Sequence, residues 1–496
     1  MAVHCKPRTL TLCLCLVLVV KASRAFAQED YAGYRHESYF EDDHRMNIGT
    51  DTIGFDIGLT SHFRLAASAV EDAISGATPT GAPPVNQWPQ HTFNNTFPAI
   101  YQANYNANFN GILSAATDPN SSTSLYTPYF NVINPVSPTP AALRTFTNWV
   151  KSTGYQTYGP TGHTIAQDAS ANARANATGA VNAILASQTQ NIANNPAYRN
   201  SGVPLTHLSD RRTAYNIAPT VLWGNNSLTP EWSYSREHDY HSYGSAINYS
   251  LALNDKNTIL NTGWSHDVDR VRNVAAGGTW DPKVSDNFLI GINQLISSKS
   301  YFTVDVTYGQ EYGYLSDQYR IAILDFPQSF SNGDQPDNPL PDKRPRRRVD
   351  EILYANFVQY FDAADASADV SYRFFHDSYG IFANTGEFDW HQKLGRFVVF
   401  TPGIRYYRQS AASFYYILVP SEPNEAKPAV PNYSSDYRLS ELESFNLSAD
   451  FTFRIQKHIS LDLSYMRYMM RGLDGATSQS AYPSASVYSI GARVWF

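Results

Sequence analysis

The chain has 496 residues, 34 of them Tyr and 26 Phe, and carries 37 basic against 44 acidic side chains. It shows neither long helical heptads nor an alternating βαβ pattern, so a large all-β body is the better reading, and the acidic balance argues against nucleic acid as a partner. Its three cysteines, Cys5, Cys13 and Cys15, all fall before residue 16, which excludes a disulfide scaffold, a thiol nucleophile and a Cys-ligated metal from the rest.

His4, Lys6 and Arg8 precede the apolar run Leu10 to Val20, and Ala25-Phe26-Ala27 supplies a cleavage pattern. Residues 1–27 therefore read as a signal peptide and 28–496 as the mature chain. The leader removes four bases (Lys6, Arg8, Lys21, Arg24) and no acid, leaving 33 basic against 44 acidic residues, a net −11. Beyond it no apolar run is long enough for a membrane helix, so an exported chain of this kind is a soluble periplasmic protein or a membrane β-barrel.

The strands decide for the barrel. Ile53, Phe55, Ile57 and Leu59 alternate with Thr52, Gly54, Asp56 and Gly58, and twelve consecutive residues from Ser444 to Ile455 obey the same period. Tight turns are expected at 60–62, 254–256, 297–299, 362–365, 393–395 and 456–458, with long loops around 270–285, 315–345, 409–436 and 471–484. Short turns at one end and long loops at the other are the pattern of a transmembrane antiparallel β-barrel in the bacterial outer membrane. Strands are expected at 31–41, 48–59, 63–75, 238–253, 257–268, 285–297, 300–314, 346–361, 366–377, 381–392, 396–408, 437–455, 459–470 and 485–496. That is about fourteen, with 12 or 16 as alternatives.

Residues 77–234 break the rhythm, being poor in charge and rich in Asn, Ala, Ser, Thr and Pro. Strand parity makes them an extracellular insert or lid between the third and fourth strands. Ala-rich 164–194 is expected to form one or two short helices with Val181, Ile184 and Leu185 as the apolar stripe.

Several groupings could carry chemistry. His238 and His241 in "REHDYH" face opposite sides of a strand, so a surface loop is the better reading. His266 with Asp267 and Asp269 would need a nucleophile from a neighbouring strand to act catalytically, and no enzyme is expected. The run Lys343-Arg344-Pro345-Arg346-Arg347-Arg348 offers guanidinium forks to lipopolysaccharide phosphates. Glu387, Asp389 and His391 alternate on one strand and are weak metal candidates, though a salt-bridge network in the lumen is favoured over a metal. Lumen-facing charges that would set selectivity are Asp56, Asp305, Asp369, Arg373, Glu387, Asp389, His391, Arg405, Asp450, Arg454 and Asp462. The last strand puts Tyr488, Ile490, Val494 and Phe496 on one face and resembles the terminal signature that the barrel-assembly machinery reads.

The stretch "SYRFFHDSYGIFANTGEFDWHQKLGRFVVFTPGIRYYRQSAASFYY" (371–416), with "SSDYRLSELESFNLSADF" after it and "YRHESYFEDDHR" near the start, resembles the bacterial outer-membrane family catalogued as domain of unknown function 3570. The resemblance implies a barrel in the outer membrane and brings no established substrate or catalytic residues. Members are encoded beside flavin-attachment and thioredoxin-like proteins, which implies an envelope redox or cofactor pathway nearby. The expected function is a channel or gated transporter for small polar solutes, with no cofactor. The alternative is a non-conducting scaffold that docks a periplasmic or lipoprotein partner. Expected surroundings are outer-membrane lipid and lipopolysaccharide.

Overall fold

The computed structural model describes residues 30–84, 89–133, 138–191, 202–273, 277–325, 339–422 and 425–496. The expected signal peptide, 1–27, lies outside them. Among the described residues sixteen antiparallel strands close into one barrel. In chain order they are β1 (Tyr31–Glu41), β2 (Met46–Thr60), β3 (Phe63–Pro79), β4 (Leu205–Trp223), β5 (Asn226–Arg236), β6 (Tyr240–Leu253), β7 (Thr258–Asn273), β8 (Thr279–Ser297) and β9 (Ser300–Gly313), then, after two short loop strands, β12 (Arg347–Phe361), β13 (Ala366–Asp377), β14 (Phe382–Leu394) and β15 (Val398–Gln409), and, after one more, β17 (Leu442–Gln456), β18 (Ile459–Gly472) and β19 (Ser484–Trp495). The loop strands β10 (Ile321–Asp325), β11 (Leu340–Pro341) and β16 (Leu418–Pro420) form a separate small sheet. The ring closes between β1 and β19, with Tyr31 opposite Trp495 and Glu41 opposite Ala485.

The expected fourteen strands are thus two too few, and the missing pair is the hairpin β4–β5 inside the segment read as insert. β4 runs the full length of β3, from Pro79 opposite Leu205 to Phe63 opposite Val221. Its outward positions near the loop end are His207, Ser209 and Arg211, and only below them come Tyr215 and Ile217. A strand that continues past the apolar band loses its hydrophobic alternation there, and Pro219 and Pro230 mask the rest. The excursion between β3 and β4 is therefore 80–204, not 77–234.

The barrel wall explains itself strand by strand. In β13 Val370 and Tyr372 are exposed large side chains facing outward, while Asp369, Ser371 and Arg373 turn to the lumen. The same alternation repeats around the ring, with Ile247, Phe288, Ile290, Leu447 and Ile490 among the outward residues. A closed ladder leaves no unpaired edge, so an apolar exterior of this kind fits lipid. One end carries short turns, such as Asn254-Asp255-Lys256, three residues in the left-handed region that Asn and Asp tolerate. The other carries the loops 80–204, 314–346, 410–441 and 473–483. The expected long loop at 270–285 is short, because β7 continues to Asn273 and β8 begins at Thr279.

Within 80–204 the chain forms α1 (Pro89–Thr117), α2 (Tyr126–Ile133), α3 (Pro140–Trp149) and α4 (Ile165–Asn191). Thr139 caps α3 by accepting from the Ala142 N–H at 3.3 Å, with Pro140 at the first helical position. The Ala-rich stretch is one long helix, and its packed stripe is Ala169, Ala173, Ala177 and Val181, all fully buried against α1. Ile184 is half-buried, and the Leu185 side chain lies outside the described residues. The tip has its own core of Leu125, Tyr129, Phe146, Val150 and Ile165.

Candidate functional site

The lumen face gathers the expected charges. Asp369 lies opposite Asp389, Ser371 opposite Glu387, and Ser367 opposite His391. Arg405 lies opposite both Glu387 and Asn446, Asp450 opposite Thr401, and Arg454 opposite Ser460 by the short-turn mouth. Several are held by neighbours: Asp56 by Arg64 at 2.8 Å, Asp462 by the Thr452 hydroxyl at 2.7 Å, and Asp450 by the Ser464 hydroxyl. Arg373 lies over the Phe375 ring at 5.5 Å. Asp305 leans across Gly291, where a Cβ would meet its carboxylate. His391 shares a 3.0 Å hydrogen bond with Thr401. Among the described residues the ligand atoms of Glu387, Asp389 and His391 do not converge, and the acidic group that does is elsewhere.

At the loop end an ionic hub crosses the mouth. Asp436, fully buried, accepts from Arg438 Nε at 2.9 Å and Arg344 Nη2 at 2.8 Å, with Arg320 Nε 3.7 Å away. Arg344 Nε also donates to Asp342 at 2.7 Å, Asp342 accepts from the Asp317 N–H at 2.7 Å, and Arg438 reaches Asp317. Burial works to raise the Asp436 carboxyl, but the charges of Arg438, Arg320 and Arg344 outweigh it and hold the group well below the usual carboxylate range. The hub joins the loops 314–346 and 410–441, and Arg320 ties both to the barrel by donating to Thr78 at the end of β3 at 3.1 Å. It also lies 5.6 Å from the Tyr437 ring, whose phenol is pushed up to about 12, chiefly by burial. Beside it the small sheet packs Ala322, Val419 and Tyr433 together.

Beneath this plug lies a lumen cavity of about 470 Å³, lined by Asp210, Glu237, Asp239, Glu311, Lys283, Tyr319 and Arg344 among others. One oxygen from each of Asp210, Glu237 and Asp239 comes within 4.8 Å of the others. Asp239 accepts from Gln318 and from the Tyr319 phenol. Burial, reinforced by the charges of Asp210 and Asp239, raises the Glu237 carboxyl. The arrangement is a negative field in the path beneath the mouth, suited to holding or passing cations.

The basic run divides. Arg344 belongs to the hub, and Arg348 turns inward to Asp377 at 2.7 Å. Arg346 and Arg347 are exposed, Arg347 lying 5.4 Å from the Tyr312 ring, and Lys343 is exposed with its backbone paired to Tyr433. Tyr488, Ile490, Val494 and Phe496 all face outward and exposed. Sequence reasoning missed Asp317, Arg320, Asp342, Asp436 and Arg438, although "SSDYRLS" places Asp436 and Arg438 two apart inside the stretch quoted above. Of the acidic trio, Glu237 and Asp239 lie two apart within "REHDYH", but Asp210 on β4 joins them from as many as 29 residues away, so the trio as a whole had no local signal. Of the histidine groupings, His266 pairs with Asp286 at 2.9 Å on the exterior, whereas Asp269 holds Lys283 in the lumen at 3.8 Å. His238 lies 2.9 Å from Arg272.

The family model described as "Protein of unknown function (DUF3570)" matches residues 15–282 and 278–484. The chain belongs to this family. No curated protein matches it. Among solved structures it is similar to the siderophore receptor PirA from Pseudomonas aeruginosa, at 8% identity and TM-score 0.38, over 95% of this chain and 62% of that one. It is also similar to CdiB from Acinetobacter baumannii (8%, TM-score 0.41, 94% and 60%) and to a bacterial polysaccharide outer membrane secretin (7%, TM-score 0.39, 95% and 100%). The chain thus spans about three fifths of the first two. Likenesses of this order carry no argument about activity. The fold itself carries the location: a closed, even-stranded antiparallel barrel with an apolar exterior, short turns at one end and long loops at the other is an outer-membrane protein.

Proposed function

We propose that the chain is a gated channel or transporter for small polar solutes, with the charged lumen setting selectivity and the loop hub setting access. The observation that carries this reading is the line of ionisable groups from Asp56 and Arg454 at the short-turn mouth, through Asp369, Asp389 and Asp450, to the acidic cavity beneath the hub. Excess negative charge in the lumen favours cations over anions. In this reading the short turns and both ends of the barrel face the periplasm, and 80–204 lies on the outer side. Outward Phe496 and its face serve the assembly machinery, and exposed Lys343, Arg346 and Arg347 meet lipopolysaccharide phosphate.

The test is single-channel conductance of the refolded mature chain in a planar bilayer, with and without residues 85–201. Stable, cation-selective conductance supports a channel, and conductance that rises on deletion makes the helical insert part of its gate. A barrel silent in both forms rejects the channel. That result would favour the second reading, a scaffold docking an envelope partner, for which the supporting observation is the hub itself, a mouth cross-linked by buried ion pairs.

A further inference from the structure

The exterior of the barrel carries a second arrangement that the channel reading does not use. On β1, His36 and Ser38 stand two residues apart and so share the outward face, and the register puts Asp51 of β2 directly opposite His36. His36 Nδ1 lies 2.9 Å from Asp51 Oδ1, and His36 Nε2 lies 3.1 Å from Ser38 Oγ. The same Asp51 oxygen accepts from the Tyr34 phenol at 2.6 Å. A carboxylate on Nδ1 fixes the tautomer that leaves the Nε2 lone pair for the serine hydroxyl, which is how a hydroxyl is made nucleophilic at neutral pH.

The level of this chain of hydrogen bonds in the wall is equally specific. Ser38 lies opposite Tyr488 of β19, and Tyr488 packs with Phe40 and Tyr465 at 6.3 and 5.1 Å, an outward aromatic cluster of the kind that marks the membrane interface. Toward the short-turn end the outward residues of β2 are Ile53 and Phe55, and toward the loops comes exposed Asn47. Beside Asp51 on β3, Glu71 pairs with Arg211 of β4, both on the exterior. Gly49, opposite Ser38, leaves open space, since a Cβ there would come only within 4.0 Å of the His36 ring. Ester carbonyls of membrane lipids sit at this boundary between acyl chains and head groups.

We propose that Ser38, His36 and Asp51 form a lipid-facing acyl-ester hydrolase site on the loop side of the membrane. Ser38 Oγ attacks the carbonyl carbon of a long-chain acyl ester while His36 Nε2 takes the hydroxyl proton. The tetrahedral oxyanion is met by the Asn47 amide, one pleat along β2. Collapse breaks the ester C–O bond, the leaving alkoxide takes the proton from Nε2, and the acyl group stays on Ser38. Water then gives a proton to Nε2 and attacks the acyl carbon, and Ser38 Oγ leaves with that proton, so ester and water become fatty acid and alcohol. Asp51 is a positioning residue. The site needs the barrel in a membrane, and not that it conducts.

The test uses the refolded full barrel in mixed micelles, its folding verified by heat-modifiable migration, with phospholipid in one arm and lipopolysaccharide in the other, and a fluorophosphonate as covalent probe. The probe should label Ser38, S38A should abolish labelling and fatty-acid release, and H36A should lower release by at least about 100-fold. D51N should lower kcat and leave KM for the micellar lipid unchanged, which a merely structural role would not do. Release in either arm identifies the ester source. A folded wild-type barrel that releases no more fatty acid than S38A from both lipids overturns the proposal, with or without labelling.

Discussion

At the scale of single residues, Asp436 is the side chain on which most depends. It is fully buried among three guanidinium groups, so replacing it with Asn leaves Arg320, Arg344 and Arg438 crowded without an anion. Breaking a buried ion group this way typically costs about 3–5 kcal/mol. D436N should therefore free the 410–441 loop for limited proteolysis and raise channel conductance, and an unchanged digestion pattern would count against the hub as a clasp. The pH response has two signs. Asp436 titrates below its unfolded value, so its contribution is present above about pH 4 and is lost only as pH falls through its folded value. Glu237 titrates above its unfolded value, so its ionised form burdens the fold and stability is gained as pH falls through its folded value. E237Q should consequently raise the thermal midpoint at pH 7 and change it little in acid. Of this hub only the local pairs Asp342–Arg344 and Asp436–Arg438 stand close in sequence, and nothing in their spacing shows that the two loops meet, whereas the lumen charges were legible, since a strict period of two assigns each a face.

At the scale of elements, the hairpin β4–β5 decides what may be removed. Deleting 77–234 would take away both strands and break the ladders to β3 and β6, whereas deleting 85–201 leaves every barrel strand intact. Heat-modifiable migration should survive the second deletion and be lost in the first. The helical pair α1 and α4 makes a prediction of its own. Ala173 is fully buried where the two helices meet, and A173L overpacks that contact at a typical cost of about 1–3 kcal/mol. New protease sites should open within 89–191 while the barrel keeps its migration. The sequence pattern found fourteen of the sixteen strands because each carries an apolar face at membrane depth. It lost β4 and β5 because their outward faces turn polar above the band and prolines interrupt them. It also missed α1, whose Asn-rich, uncharged sequence carries little helical periodicity.

At the scale of the whole molecule, wall and mouth are built on different physics. The wall is a backbone ladder in which no strand is dispensable. The mouth is a set of loops held by ion pairs around a buried carboxylate, which salt screens far less than exposed pairs, so it is the part that a substitution in the hub loosens without unfolding the ring. Raising ionic strength should therefore change the open probability of the channel little, whereas D436N should change it strongly, and a steep salt dependence in the unsubstituted barrel would count against a buried clasp. The seam between β1 and β19 sets a kinetic condition on the ring. Every other ladder joins strands that follow one another around the wall, but this one brings Tyr31 to Trp495, so its loop-closure entropy is met only after the rest is aligned. Until then the intermediate exposes two bare sheet edges, each able to capture a strand from another chain. Refolding yield should therefore fall with protein concentration, and substitutions along the seam should act on the rate of closure before they act on the finished barrel.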